Sequence, residues 1–507
     1  MSHVYRVHEL DGAATEPKKF GFKRSRALLA LTFTLTLALT ACEDEAAPAS
    51  ESGQGEQAVE QAGEQAGEQA GEQAGERAGE QAGEQAGEQA GEQAGEQAGE
   101  QAGEEGAVAG EVTNSDPCVA VEPLCDGSFD PPPPLNEHAG VYADAEQQLV
   151  IFGGNTSVPE NCGFPAYTGE STTWIYYARP LAEGCGPWVK IEAGPPGRAR
   201  HSADYGEGAM WVFGGRVRAG TSGPYSIFND LWRFDLETRA WSEVTPMGDA
   251  PPARYNTSLT FDPVRRALWV FGGNISGSSI NPDATHDLWR FDIETSVWTE
   301  VETPDYLRDR MWHQAVFDAE RDRLVFFGGA DESAFFDDAQ YFNDLVFYSP
   351  ESDSWGRAES ELAPDGRFWS QMVYRPLDDS YLIFGGHDDQ LLGNRNDTWS
   401  FNPTSGVWTA LTGEDTYNRP ANGFCDFPPD FTIVDRSLPE RRNAHTFSWS
   451  PMCDRGLMFG GKTDCGAIND VWSYTSDAGW VSGELATEGE VCHRWRSNPD
   501  NCANMCF

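Results

Sequence analysis

Residues Leu268–Trp298 read LWVFGGNISGSSINPDATHDLWRFDIETSVW. Four apolar residues run into the diglycine Gly272-Gly273. A polar loop follows, then a second apolar run opened by Asp287-Leu288-Trp289, and Trp298 comes nine residues later. Short β-prone runs broken at Gly suit antiparallel strands. The diglycine recurs at Gly153/Gly154, Gly214/Gly215, Gly328/Gly329, Gly385/Gly386 and Gly460/Gly461, at intervals of 61, 58, 56, 57 and 75 residues. The second run recurs with Asp230, Asp344, Asp397 and Asp470, and the distal Trp with Trp241, Trp355, Trp408 and Trp480. The first copy is looser, with Trp174 and Trp188 fourteen apart. A repeat of this length means a supersecondary unit that buries its faces only against its neighbours.

These six copies resemble the kelch repeat over about residues 135–484. The resemblance implies an all-β fold, a six-bladed β-propeller in which each copy is one four-stranded blade. The diglycines then mark close backbone approach, and the Trp residues fill the wedges between blades. Both end blades read as complete, so no strand is expected to cross between the termini. Thr475–Trp480 is only loosely like the Asp-box of sialidase propellers and is read as a hairpin turn.

Upstream, the basic stretch Lys18–Arg26, thirteen apolar or Thr residues (Ala27–Leu39) and Leu39-Thr40-Ala41-Cys42 describe an export signal rather than a membrane span, which needs about 20 residues. The cut before Cys42 resembles the lipobox of bacterial lipoproteins, which implies lipidation of Cys42. From Glu56 to Glu105 the chain repeats Glu-Gln-Ala-Gly. Stacked glutamates and a Gly in every turn oppose a helix, so a disordered acidic linker is expected. The domain reading is 1–41 lipoprotein signal peptide, 42–134 lipidated Cys and linker, 135–485 propeller and 486–507 Cys-rich tail. A lipid-anchored, exported head is expected, at the outer membrane or cell surface rather than the inner membrane. The net charge of −46 argues against nucleic acid as a partner.

Without Cys42, ten cysteines remain: Cys118, Cys125, Cys162, Cys185, Cys425, Cys453, Cys465, Cys492, Cys502 and Cys506. They cluster near the two ends of the array, so disulfides are expected to clamp the seam and tie down the tails, in an exported protein where such bonds persist. Cys425–Cys465 is one reasonable pair; the others stay open. The spacing around His493 is poor for zinc, and no metal or cofactor is expected.

Aligned on the diglycines, the first strands open with Arg198/His201, Arg254/Thr257, Arg310/His313, Arg367/Ser370 and Arg442/His445, with Leu135/His138 in blade one. Two readings stand. The arginines and His201, His313 and His445 could ring a channel mouth for a carboxylate-bearing sugar or an acidic peptide. Alternatively, each Arg pairs with its blade's Asp and each His belongs to the core. The long interval near Thr412–Glu440, with Tyr417, Phe424, Phe427 and Phe431, could form a binding loop or simply pack around Cys425. No catalytic set stands out. The expected function is a monomeric protein- or glycan-binding or scaffolding module. The alternative is a carbohydrate-active enzyme resembling the six-bladed sialic-acid mutarotases, or less closely the copper-dependent galactose oxidases.

Overall fold

The computed structural model describes residues 125–484 apart from 157–168, 180, 219–222, 279–280, 335–338, 361, 389–392, 414–415, 418–431, 434–436 and 464–465. Among the described residues, six four-stranded antiparallel sheets follow one another along the chain. Blade one is Ala139–Ala143, Gln148–Phe152, Thr173–Tyr177 and Trp188–Ile191. Blade two is Ser202–Gly206, Ala209–Phe213, Leu231–Asp235 and Ala240–Val244. Blade three is Ser258–Asp262, Ala267–Asn274, Ala284–Asp292 and Val297–Val301. Blade four is Gln314–Asp318, Arg323–Phe327, Leu345–Ser349 and Ser354–Arg357. Blade five is Gln371–Arg375, Ser380–Phe384, Thr398–Asn402 and Val407–Thr412. Blade six is Thr446–Ser450, Arg455–Thr463, Gly466–Thr475 and Gly479–Glu484. In each blade the first strand lies innermost. Each inner strand neighbours the next, and Thr446–Ser450 neighbours Ala139–Ala143, so the ring is shut.

The apolar run of the second strand of each blade is buried because it has blades on both sides; Phe152, Phe213 and Phe459 are wholly inaccessible. Six apolar clusters fill the six spaces between neighbouring blades, and the cluster of Leu149, Ile151, Trp188, Leu457 and Phe459 spans the seam. The Phe before each diglycine meets the fourth-strand Trp of the following blade. Phe152–Trp241 lie 4.8 Å apart between ring centroids, Phe213–Trp298 5.5 Å, Phe271–Trp355 5.7 Å, Phe327–Trp408 5.6 Å and Phe384–Trp480 4.7 Å. Phe459–Trp188, at 5.5 Å, completes the circuit across the seam. The expected wedge role therefore belongs to this set of Trp, each contributing a large apolar face.

The diglycines join blades through their backbones. The N–H of the second Gly donates to a carbonyl of the following blade, at 2.9 Å for Gly154 to Arg198, Gly215 to Arg254, Gly273 to Arg310, Gly329 to Arg367 and Gly386 to Arg442. Gly461 makes the same bond to Leu135 at 2.8 Å. At the seam, Gly460 has φ +62°, and a Cβ there would sit 2.9 Å from the Leu135 carbonyl oxygen, so no larger residue fits.

Closure thus uses no exchanged strand. The seam repeats the contacts made between the other blades: Leu135 N donates to Ile468 O at 3.2 Å as Arg254 N does to Phe228 O, and Asn469 Nδ2 donates to the Pro132 carbonyl at 2.8 Å as Asn343 Nδ2 does to Pro364. The packed head begins earlier than the boundary read at residue 135. Ser128 bridges Trp188, and Cys125 is disulfide-bonded to Cys185. That disulfide ties the N-terminal segment to the outer hairpin of blade one, the tail-fastening role expected of these cysteines, and does not itself cross the seam. Cys453 is also disulfide-bonded. Cys42, Cys118, Cys162, Cys425, Cys465, Cys492, Cys502 and Cys506 lie outside the described residues. Thr475–Gly479 closes a hairpin, as read.

Candidate functional site

The inner strands enclose a central cavity of about 700 Å³. Its upper end is the face that carries the loops after the diglycines. Here the structure separates the two sets of candidate residues. His201, His313 and His445 line the cavity with His138, whereas Arg198, Arg254, Arg310, Arg367 and Arg442 do not.

Each of those five arginines is a buried strut, its side chain at most 2% exposed. The guanidinium forks onto the Asp of its own blade. The two bonds are 2.6 and 2.8 Å for Arg198–Asp230, 2.7 and 2.7 Å for Arg254–Asp287, 3.1 and 3.1 Å for Arg310–Asp344, 2.5 and 2.9 Å for Arg367–Asp397, and 2.6 and 2.8 Å for Arg442–Asp470. The same Nη1 also donates to the carbonyl of the first diglycine residue, as Arg442 does to Gly460 at 2.9 Å. A planar fork matched to a carboxylate is a strong charge-assisted contact. Burial works against charge on Asp230, Asp287, Asp344 and Asp397, but the arginines outweigh it and hold all four below the usual carboxylate range. Trp232, Trp289, Trp399 and Trp472 each donate their indole N–H to the Asp two residues earlier, at 2.7–2.8 Å. These Trp therefore orient the carboxylates. The arginine ring at a channel mouth is corrected to a set of intrablade clamps, because the available counter-charge sits within each blade.

The histidines are uncharged. His138 and His201 are pushed down to about 3, chiefly by burial, and burial also lowers His313 and His445 well below the ordinary value. Each ring packs edge-on to the Phe before the preceding blade's diglycine, as His138 does to Phe459 at 5.3 Å. Neutral rings at this depth serve packing, the second of the two readings. Among the described residues no cluster of three or more His, Cys, Asp or Glu could hold a metal.

The residue between Arg and His that the sequence reading passed over closes the upper end. Glu137, Arg200, Asn256, Trp312, Trp369 and Ala444 all have φ between +49° and +60°. Left-handed geometry costs a non-Gly residue about 1–2 kcal/mol. A closed circuit of backbone bonds offsets it. Arg200 N donates to Glu137 O (2.9 Å), Asn256 to Arg200 (3.0 Å), Trp312 to Asn256 (2.9 Å), Trp369 to Trp312 (3.0 Å), Ala444 to Trp369 (3.4 Å) and Glu137 to Ala444 (3.1 Å). Across this circuit the Arg200 guanidinium binds Glu137 at 2.5 Å and stacks 4.6 Å from the Trp369 ring, three blades away. Burial raises the Glu137 carboxyl, but Arg200, Arg216 and Lys462 together pull it below its ordinary value. Arg216 is itself stacked by Tyr225 at 3.7 Å and Tyr255 at 4.7 Å. Five residue types share the six positions of the circuit, so no repeat marked it.

At the lower end a second ring was legible and missed. An aromatic stands seven residues after each Arg, or after Leu135: Tyr142, Tyr205, Phe261, Phe317, Tyr374 and Trp449. All six line the cavity. Of the long interval, Thr416–Tyr417 pairs with Thr432–Ile433, while Phe424, Phe427 and Phe431 lie outside the described residues.

Two family models match this chain, the KLHDC2/KLHL20/DRC7 Kelch-repeats domain over residues 120–308 and the Attractin/LZTR1 beta-propeller over 217–422. The chain is similar to Multiple epidermal growth factor-like domains protein 8 of Homo sapiens, 28% identical over 46% of this chain and 8% of that protein. Kelch domain-containing protein 2 of Bos taurus is 27% identical over 45% of this chain and 57% of its own. Kelch domain-containing protein 1 of Mus musculus is 32% identical over 32% of this chain and 37% of its own. The match therefore spans less than two thirds of each relative. The solved structure of YjhT superposes with a TM-score of 0.51 at 15% identity, covering 70% of this chain and 99% of that one, a likeness of fold.

Proposed function

We propose that this chain, whose described part is a six-bladed kelch-repeat β-propeller, works as an exported, lipid-anchored module that binds an acidic peptide or a carboxylate-bearing glycan at its upper mouth. The observation that supports it is the Arg200–Glu137 ion pair at 2.5 Å stacked on Trp369 at the upper end, with the charges of Arg216 and Lys462 also holding the Glu137 carboxyl below its ordinary value. In a chain of net charge −46, an end of the channel where Arg200, Arg216 and Lys462 act on a single carboxylate favours anionic ligands over the rest of the surface. Kelch propellers commonly serve as binding modules, and one fold hosts many activities, so the mouth carries this reading and the fold does not.

The test is binding of the full chain to acidic-peptide and sialylated-glycan arrays, repeated with Lys462→Ala and Arg216→Ala. Loss of binding at an unchanged melting temperature supports the reading. Binding that ignores both substitutions overturns it. Interconversion of sialic-acid anomers by the same preparation would replace it with the epimerase reading. The anchor is tested separately: Cys42→Ala should release the protein from membranes into the soluble fraction.

A further inference from the structure

The lower end of the cavity differs in chemistry from the upper. Among the described residues, the charged groups lining the cavity are the Glu137–Arg200 pair in the upper circuit and three carboxylates, Asp144, Asp204 and Glu320. Asp204 stands where the equivalent residues of the other inner strands are Val141, Thr260, Val316, Val373 and Ser448. Its oxygens accept the backbone N–H groups of Tyr205 at 2.8 Å and Phe261 at 2.7 Å, which fixes the carboxylate in the wall. Asp144 is fixed likewise by the Met452 N–H at 3.0 Å and by the Ser450 hydroxyl.

Around these carboxylates stand the six aromatics. Tyr142 and Trp449 are buried, while Tyr205, Phe261, Phe317 and Tyr374 keep part of their surface accessible. Of the arginines near this end, Arg265 is matched to Asp262 and Asp322, Arg321 and Arg323 to Asp318, Arg321 also to Asp379, and Arg375 to Asp378, while Arg455, beside Tyr142, donates to the Ala178 carbonyl at 2.7 Å. None of these arginines lines the cavity. The chain itself shows that a ring of the collar accepts a cation: the Arg375 guanidinium sits 5.1 Å over the Trp449 centroid.

From the aromatic collar, the fixed carboxylates and the enclosed volume, we infer that the lower end of the channel is a binding site for a small organic cation of the alkylammonium class. The aromatic faces attract the charge through their quadrupoles, and an onium group sheds its hydration easily enough to enter. Asp204 supplies the counter-charge part-way up the wall. A cavity of about 700 Å³ lies within the range of small-molecule sites. The negative potential also shows in the collar: Tyr205 is pushed up to about 12, first by burial and then by Glu146 and Asp144. A free small molecule and a lysine tip on a partner both present this group, and the assay separates the two.

Calorimetry on the full chain would compare choline with its neutral isostere 3,3-dimethyl-1-butanol, and a short lysine peptide with the same peptide carrying norleucine. The expected result is one choline per chain, bound about tenfold or more above the isostere. Asp204→Asn, which keeps one of the two oxygens that accept backbone N–H groups, and Phe317→Leu should each weaken choline binding by about tenfold. Lys462→Ala at the other mouth should leave it unchanged, so this site and the upper one fail independently. Binding of the lysine peptide but not of choline would assign the cation to a partner protein. Equal binding of choline and its isostere, no binding of either ammonium probe, or indifference to both lower-end substitutions overturns the inference.

Discussion

Blade one and the five blades after it solve one mechanical problem in different ways. In blades two to six a buried arginine ties the diglycine turn to the aspartate at the head of the third strand. Blade one has Leu135 in place of the arginine and Thr172 in place of the aspartate. The equivalence is fixed by register, because Thr173 pairs with Phe152 as Leu231 pairs with Phe213, and Gly153 N donates to Thr172 O at 3.2 Å as Gly214 N does to Asp230 O. Both members of the ion pair are missing together. That is what electrostatics requires, since a buried charge left alone is far more costly than no charge at all. Blade one is held from outside instead. The Cys125–Cys185 disulfide fastens the N-terminal segment to it, and Asp126 accepts the Tyr177 hydroxyl at 2.7 Å and binds Arg239 of blade two at 2.8 Å. Charge clamps a repeat from within; the chain end, cross-linked, clamps the repeat that lacks them.

The comparison breaks most sharply at Arg367. Arg367→Ala should cost about 3–5 kcal/mol by urea denaturation, because Asp397 is left buried without its ion-pair partner. The double change Arg367→Leu with Asp397→Thr copies blade one and should recover much of that loss. If the double variant is no better than the single one, the paired absence in blade one has another cause. Next in size, Cys125→Ser should cost about 2–4 kcal/mol, since it opens a closure between residues 60 apart in sequence. An effect near zero would mean that Asp126 and Ser128 hold the segment unaided.

Acid distinguishes the blades again through their histidines. The folded-state values of His138 and His201 lie near 3, below the ordinary 6.5. The unfolded chain therefore takes up protons first as pH falls. Stability from these groups is whole above about 6.5 and drains toward about 3, at up to about 1.4 kcal/mol per pH unit for each histidine. The Asp clamps begin to weaken only near the ordinary carboxylate value of about 4. Melting temperature should thus already fall between about pH 6.5 and 4.5. His201→Thr, the residue blade three uses, should flatten that slope. The smallest effect is expected for Trp232→Phe, which removes the indole donor to Asp230 and should cost about 1 kcal/mol. Blade four already lacks that donor, with Val346 in the same place and the longer 3.1 Å bonds between Arg310 and Asp344.

What could be read in advance was what repeats. Diglycine spacing, the Asp-Leu-Trp run and the distal Trp gave six blades because the same backbone approach and the same wedge recur at every junction. Pairing of Arg198 with Asp230 was one of two readings open from sequence, and burial decides between them. The aromatic collar repeats too, seven residues after each Arg, with Tyr, Phe and Trp exchanging at the position. The upper circuit does not repeat in residue type. Glutamate, arginine, asparagine, tryptophan and alanine share it because their common property is a backbone angle imposed by neighbours across the ring.

The sequence by itself determined the blade count, the strand order within each blade and the residues able to pair charge, since each depends on short-range periodicity carried by the chain. Only the tertiary structure decided where the charges face. Arg198 and Arg200 are two residues apart, yet one is sealed inside its blade and the other crosses the channel to Trp369. Ring closure sets that difference, because it brings Glu137, Arg200 and Trp369 together from distant parts of the chain and turns six unrelated positions into one lid.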